Sequence, residues 1–126
     1  MRIHGIVMCM CLALIVYGGL KEEHEAARAL EKGGNYKEAY DSWLKLLRNP
    51  QNTGIQAAND FISACGCLVQ LNRVSEYDSL RDEVLALRPK DWEFVARAVS
   101  SYNIVSTYGT VIDGVFTRGR RYFLEG

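Results

Sequence analysis

The sequence predicts an all-α chain, about five helices paired as antiparallel hairpins in a repeat array and followed by a short C-terminal β-like extension. Three observations carry that prediction. Apolar residues recur on single helical faces from Ala26 to Val105, the segments between those faces are short and built of Gly, Asn and Pro, and two successive hairpins overlay at an offset of about 38 residues. Residues three and four apart share one side of a helix, so each stripe needs an apolar neighbour; a short turn makes the next helix that neighbour.

Composition narrows the class before any element is read. At 126 residues the chain holds one domain, and 48% hydrophobic with 24% charged residues is the balance of a packed globule rather than of a disordered segment. Fifteen basic residues offset fifteen acidic ones, which leaves no bulk field to draw nucleic acid or an anionic membrane. The partner expected is a protein; no nucleic acid, cofactor or small-molecule substrate is indicated.

Residues 1–20 read as a secretory signal. Arg2 gives a basic start, an apolar run extends from Ile6 to Tyr17, small residues follow, and the first acids arrive only at Glu22 and Glu23. The run is shorter than the ~20 residues of a membrane span, and Val16 and Gly18 suit the small-residue sites ahead of a cut. An uncleaved anchor and a buried first helix are the alternatives, and a membrane contact is expected only if the leader stays attached. Neither Cys9 nor Cys11 follows the pattern of a lipid-attachment site.

The helical repeat domain is assigned to residues 21–107. Ala26, Ala27 and Leu30 mark the first helix, and Lys32 to Asn35, "KGGN", stops it with two glycines and a polar cap for the second. Tyr36, Ala39, Tyr40, Trp43, Leu46 and Leu47 form the stripe of that second helix, which ends at Asn49-Pro50. A third runs from about Ile55 to Leu71 with Ala58, Phe61, Ile62, Cys65, Leu68 and Val69 inward; Ala57, Ala64 and Gly66 allow close approach of a neighbour. A fourth spans roughly Ser75 to Leu87, with Tyr77, Leu80, Val84 and Leu87 inward and Pro89 beyond its end. The fifth starts at Asp91, a good N-cap, and carries Phe94, Val95, Ala98, Tyr102 and Val105.

Chemistry-bearing residues are few. Without the leader only Cys65 and Cys67 remain, and two positions apart on a helix they point to nearly opposite sides, out of reach of each other. "CGC" also lacks the second ligand pair of a zinc site, so both are expected as buried small hydrophobes. His24, within "KEEHEAA", reads as part of an exposed acidic first turn suited to a helix N-terminus; a metal site with its carboxylates is the alternative. The chain has no G-x-S-x-G, H-E-x-x-H or P-loop pattern, and it is expected not to be an enzyme, with no catalytic, cofactor-binding or metal-binding residue assigned. Trp43, Tyr36 and Tyr40 are expected in the core rather than in a ligand box.

The extension, residues 108–126, departs from the helical pattern. Thr110 to Ile112 and Val115 to Phe116 read as two short arms around Asp113-Gly114, a preferred type I′ turn pair. So small a hairpin is marginal alone and must lean on the helices or on something else. Arg118, Arg120 and Arg121 follow beside Gly119, either as a clasp for an anion or carboxylate or as a solvated loop. The candidate partner-binding residues are Tyr108, Asp113, Phe116, Arg118, Arg120 and Arg121.

Two resemblances extend this reading. Ala27 overlays Cys65, Leu30 overlays Leu68, Gly34 overlays Asn72, Tyr36 overlays Val74 and Ala39 overlays Tyr77. With "GNYKEA" at the turn, Trp43 and Pro50, residues 22–89 resemble the tetratricopeptide repeat; the second unit departs from it at Tyr77 and Arg81. The resemblance implies a right-handed superhelix with a concave groove for protein contacts. Ser101 to Arg121, through Tyr102, Tyr108-Gly109, Val111-Ile112, Gly114-Val115-Phe116 and Arg118-Gly119, is similar to the N-terminal helical region of large secreted bacterial alpha-2-macroglobulin-like proteins. Those trap proteases through a Cys-Gly-Glu-Gln thioester motif, which is absent here; Cys65-Gly66-Cys67 does not qualify. The resemblances together imply a non-catalytic, exported, periplasmic or extracellular interaction scaffold, a truncated N-terminal segment of a larger macroglobulin-like protein. The alternatives are a stand-alone periplasmic adaptor of tetratricopeptide type and a membrane-anchored assembly component.

Overall fold

A computed structural model describes residues 19–119; residues 1–18, where most of the expected leader falls, with Cys9 and Cys11, and residues 120–126, with Arg120 and Arg121, lie outside the described residues. The chain is mostly helical, as expected. Helix α1 is described over residues 19–32. Then follow α2 (Tyr36–Arg48), α3 (Gly54–Gln70), a 3-10 turn (Val74–Glu76), α4 (Tyr77–Leu87), α5 (Trp92–Ala98) and a second 3-10 turn (Val99–Asn103). Strands β1 (Gly109–Ile112) and β2 (Val115–Arg118) form an antiparallel pair, with Ile112 opposite Val115 and Gly109 opposite Arg118. No helix among the described residues is long and apolar enough to cross a membrane.

The turns obey the chemistry of their residues. After α1, the amide of Asn35 donates to Leu30 O and that of Gly34 to Glu31 O, with Gly34 at φ 79°. After α3, Arg73 N donates to Leu68 O and Asn72 N to Val69 O, with Asn72 at φ 56°. Both are Schellman closures, which need a left-handed residue that Gly or Asn supplies at least strain. Asp91 joins two helix starts: Oδ1 accepts from Phe94 N at 3.0 Å, capping α5, while Oδ2 accepts from Gly54 N at 2.7 Å, fixing the first residue of α3.

Helix α3 is central, packing against α2 on one side and α5 on another. That position explains why Cys65 and Cys67 are both fully buried, although they point apart. Phe61 stands between Tyr77 and Phe94, with ring centroids 6.1 and 6.0 Å away, contacts worth about 0.5–1.5 kcal/mol each beyond their buried area. Trp43 is buried and its Nε1 donates to Glu31 Oε2 at 3.1 Å, so the aromatic stripe of α2 is core.

Three helical expectations are corrected. The fifth helix ends at Ala98 and continues only as a 3-10 turn; Val99 is β-branched, and Ser100 Oγ donates to Arg97 O at 2.8 Å, competing with the helical ladder. Val69, Leu87, Val95 and Tyr102, expected inward, are exposed. Val74–Glu76 is 3-10, so the fourth helix is α-helical only from Tyr77.

Candidate partner-binding surface

The hairpin is placed first by its turn. Asp113 and Gly114 have φ of 51° and 79°, the type I′ geometry whose twist matches two paired strands. Strand alternation then puts Val111 and Phe116 on one face and Ile112 and Val115 on the other. All four are exposed, and the Phe116 ring lies across Gly109, where any Cβ would meet it.

A short hairpin of this kind needs an anchor, and Arg118 supplies it. Its Nε donates to Asp78 Oδ2 at 3.0 Å and its Nη2 to Asp78 Oδ1 at 2.9 Å, while Nη1 donates to Ser106 O at 2.7 Å. The guanidinium also lies between the Tyr77 and Phe116 rings, 5.2 and 5.5 Å from their centroids. Hydrogen bonding from Arg118, and then its charge with that of Arg81, holds the Asp78 carboxyl below the usual carboxylate range. Burial raises the Tyr77 hydroxyl, which pairs with Ser101 Oγ at 2.9 Å.

Of the candidate residues, Phe116 and Arg118 therefore come together, but Arg118 is buried and committed to Asp78. The carboxylate that Arg118 holds is thus one of the chain's own, with Nε, Nη1 and Nη2 each donating within the chain. Tyr108 and Asp113 are exposed, Asp113 at the hairpin tip; Arg120 and Arg121 lie outside the described residues.

The structure adds residues that sequence patterns missed. Trp92, Val95, Val99 and Tyr102 follow helical spacing along the outer side of α5 and the turn after it, and all four are exposed. The inward stripe is Phe94, Ala98, Ser101 and Val105, so this segment is apolar on two sides. Tyr102 meets the buried Tyr77 with ring centroids 5.7 Å apart, and the Arg118 guanidinium over Tyr77 also lies against Phe116, so Arg118 and Tyr77 link the outer stripe to the hairpin.

A second unexpected cluster lies at the other end. His24 is buried, not exposed as its acidic neighbours imply: Nδ1 donates to Leu20 O at 2.7 Å, and Nε2 meets Asp60 Oδ2 at 2.6 Å. Asn52 Nδ2 donates to the same oxygen at 2.7 Å and Gln56 Nε2 to Oδ1 at 3.0 Å. With Asp60 1% exposed, these donors are what make a carboxylate tolerable inside the core. The available signal was Asp60 itself, a lone acid on the face shared with Ala57, Phe61 and Ala64.

Burial pushes the Cys65 thiol up to about 12 and Cys67 up to about 11, the latter also through the nearby Glu31 charge. Thiols so protonated are poor nucleophiles. Comparison with known protein families, curated proteins and solved structures found no match.

Proposed function

We propose that this chain is a non-catalytic protein-interaction scaffold, exported behind residues 1–20, whose docking surface is the hairpin together with the outer side of α5. One observation carries this reading. Of the thirteen large apolar residues exposed among the described residues, all but Ile55 and Val69 lie at or beyond Leu87. An apolar concentration of that kind on one part of a small domain marks a contact surface. From Ala98 to Gly119 the only charged residues are Asp113 and Arg118, and Arg118 is internally paired, so the surface favours an apolar protein face over an anionic ligand.

The equivalent Schellman turns at Gly34 and Asn72 support a repeat of tetratricopeptide type for α1 to α4. The likeness of residues 101–121 to the macroglobulin-like proteins supports a place at the N-terminal helical end of a larger extracellular protein of that kind, with the hairpin leading toward the rest of it.

A photo-crosslinking side chain at Val115, compared with one at Lys37 on the charged face of α2, tests the surface in the cells that make the protein. A defined protein adduct from Val115 alone is expected. Equal adducts from both positions, or none from Val115, would overturn the assignment.

A further inference from the structure

Arg88, just after α4, is only 7% exposed, yet no carboxylate among the described residues is within ion-pair distance of it. Nη2 donates to Asn52 O at 2.7 Å, and Nε is buried with no hydrogen-bond partner. The guanidinium otherwise rests on Phe94, 5.2 Å from the ring centroid. The two nearby acids are already occupied: both oxygens of Asp91 accept backbone amides, and both oxygens of Asp60 accept from His24, Asn52 and Gln56. Burial accordingly lowers the Arg88 pKa, with only distant relief from Asp91 and Asp60. A guanidinium withdrawn from water without an anion is costly, and the interior supplies none.

This residue lines a cleft of about 380 Å³ between the end of α2, the loop after it and the turn at Pro89. Leu47, Pro50, Leu87 and Pro89 give it apolar walls, and Arg48 and Lys90 stand among its lining residues. Arg48 is engaged with Glu83 at 2.8 Å. A cation without a counter-charge among the lining of an apolar slot is complementary to an anionic group on a hydrocarbon stem.

We propose that this cleft binds a small monocarboxylate, its head at Arg88 and its stem along Leu47, Pro50, Leu87 and Pro89. A single negative charge suits the site better than a phosphate dianion, because the Asp91 carboxylate is part of the same lining. The site lies apart from the hairpin, so its failure leaves the docking surface untouched, and failure of that surface leaves the cleft.

The test is titration of the full chain with acetate, butyrate, butylammonium and inorganic phosphate, read at the Arg88 Nε–H resonance by NMR. Butyrate is expected to shift that resonance saturably and to bind more tightly than acetate, by about three- to fourfold for each methylene buried; butylammonium is expected to leave it unmoved. Arg88→Gln removes the head contact but also the support of Asn52 O. Leu87→Glu, at a half-exposed wall position, is therefore the second variant: it should keep the circular dichroism of the parent and lose the butyrate shift. No shift with any anion would mean that Arg88 is satisfied by water alone, and phosphate binding as tight as butyrate without a chain-length gain would mean a general anion site. Either result overturns the proposal.

Discussion

Arg118 and Asp78, 40 residues apart, meet through two charge-assisted hydrogen bonds of 3.0 and 2.9 Å. This pair fastens the hairpin to α4, and a third bond from Arg118 to Ser106 O ties down the segment leading into it. Arg118 thus ties the hairpin to α4 beside the contact of β2 with the Val74–Glu76 turn, while Val111, Ile112 and Val115 stay exposed.

The dependence on Asp78 sets a pH signature. Its folded pKa is lowered, chiefly by Arg118, beneath the ~3.9 of an unfolded Asp, so its contribution is complete above about pH 5 and is lost as the pH falls through the depressed value. Asp78→Asn should cost the hairpin about 1–2 kcal/mol near neutrality. Protection of the Thr110 and Thr117 amides, compared between parent and variant at neutral pH and at about pH 3, should show a difference that shrinks in acid; a constant difference would deny the linkage.

His24 and Asp60 should behave as a coupled pair. His24→Leu removes a donor from an oxygen that is 2.6 Å away and buried, so it should destabilise by about 3–5 kcal/mol. Replacing both residues with Leu removes the stranded charge and should cost less than the single change. Denaturant melts of the full cycle measure this; additive losses would mean that the contact carries no coupling.

Cys65 and Cys67 should resist alkylation in the folded chain. With thiols pushed up to about 12 and about 11, and both side chains buried, peptide mapping after iodoacetamide should find neither modified without denaturant. Rapid labelling of either under native conditions would contradict their burial in α3.

Trp43→Ala should lower stability by about 3–5 kcal/mol, since the ring is buried and its Nε1 bond to Glu31 ties α2 to α1. A loss below about 1 kcal/mol in a urea melt would remove α2 from the core.

How much of this was legible depended on the range of the interaction concerned. Stripes, stops and turns are local: Gly34 and Asn72 end helices because they tolerate the left-handed conformation, and Asp113-Gly114 makes a type I′ turn wherever two strands flank it. The all-α class, the positions of α1 to α4 and the hairpin were therefore readable from neighbouring residues. The extent of α5 was not, because Val99 and Ser100 weaken a helix that the continuing apolar spacing implied.

The sequence by itself determined where the chain turns and which faces are apolar, since propensity and periodicity act over a few residues. Only the tertiary structure decided what those faces meet. It buried His24 against an acid 36 positions away, turned Arg118 inward to Asp78, and left Arg88 enclosed without a counter-charge. Charge burial depends on partners that folding brings together, and no local pattern of charged residues records them.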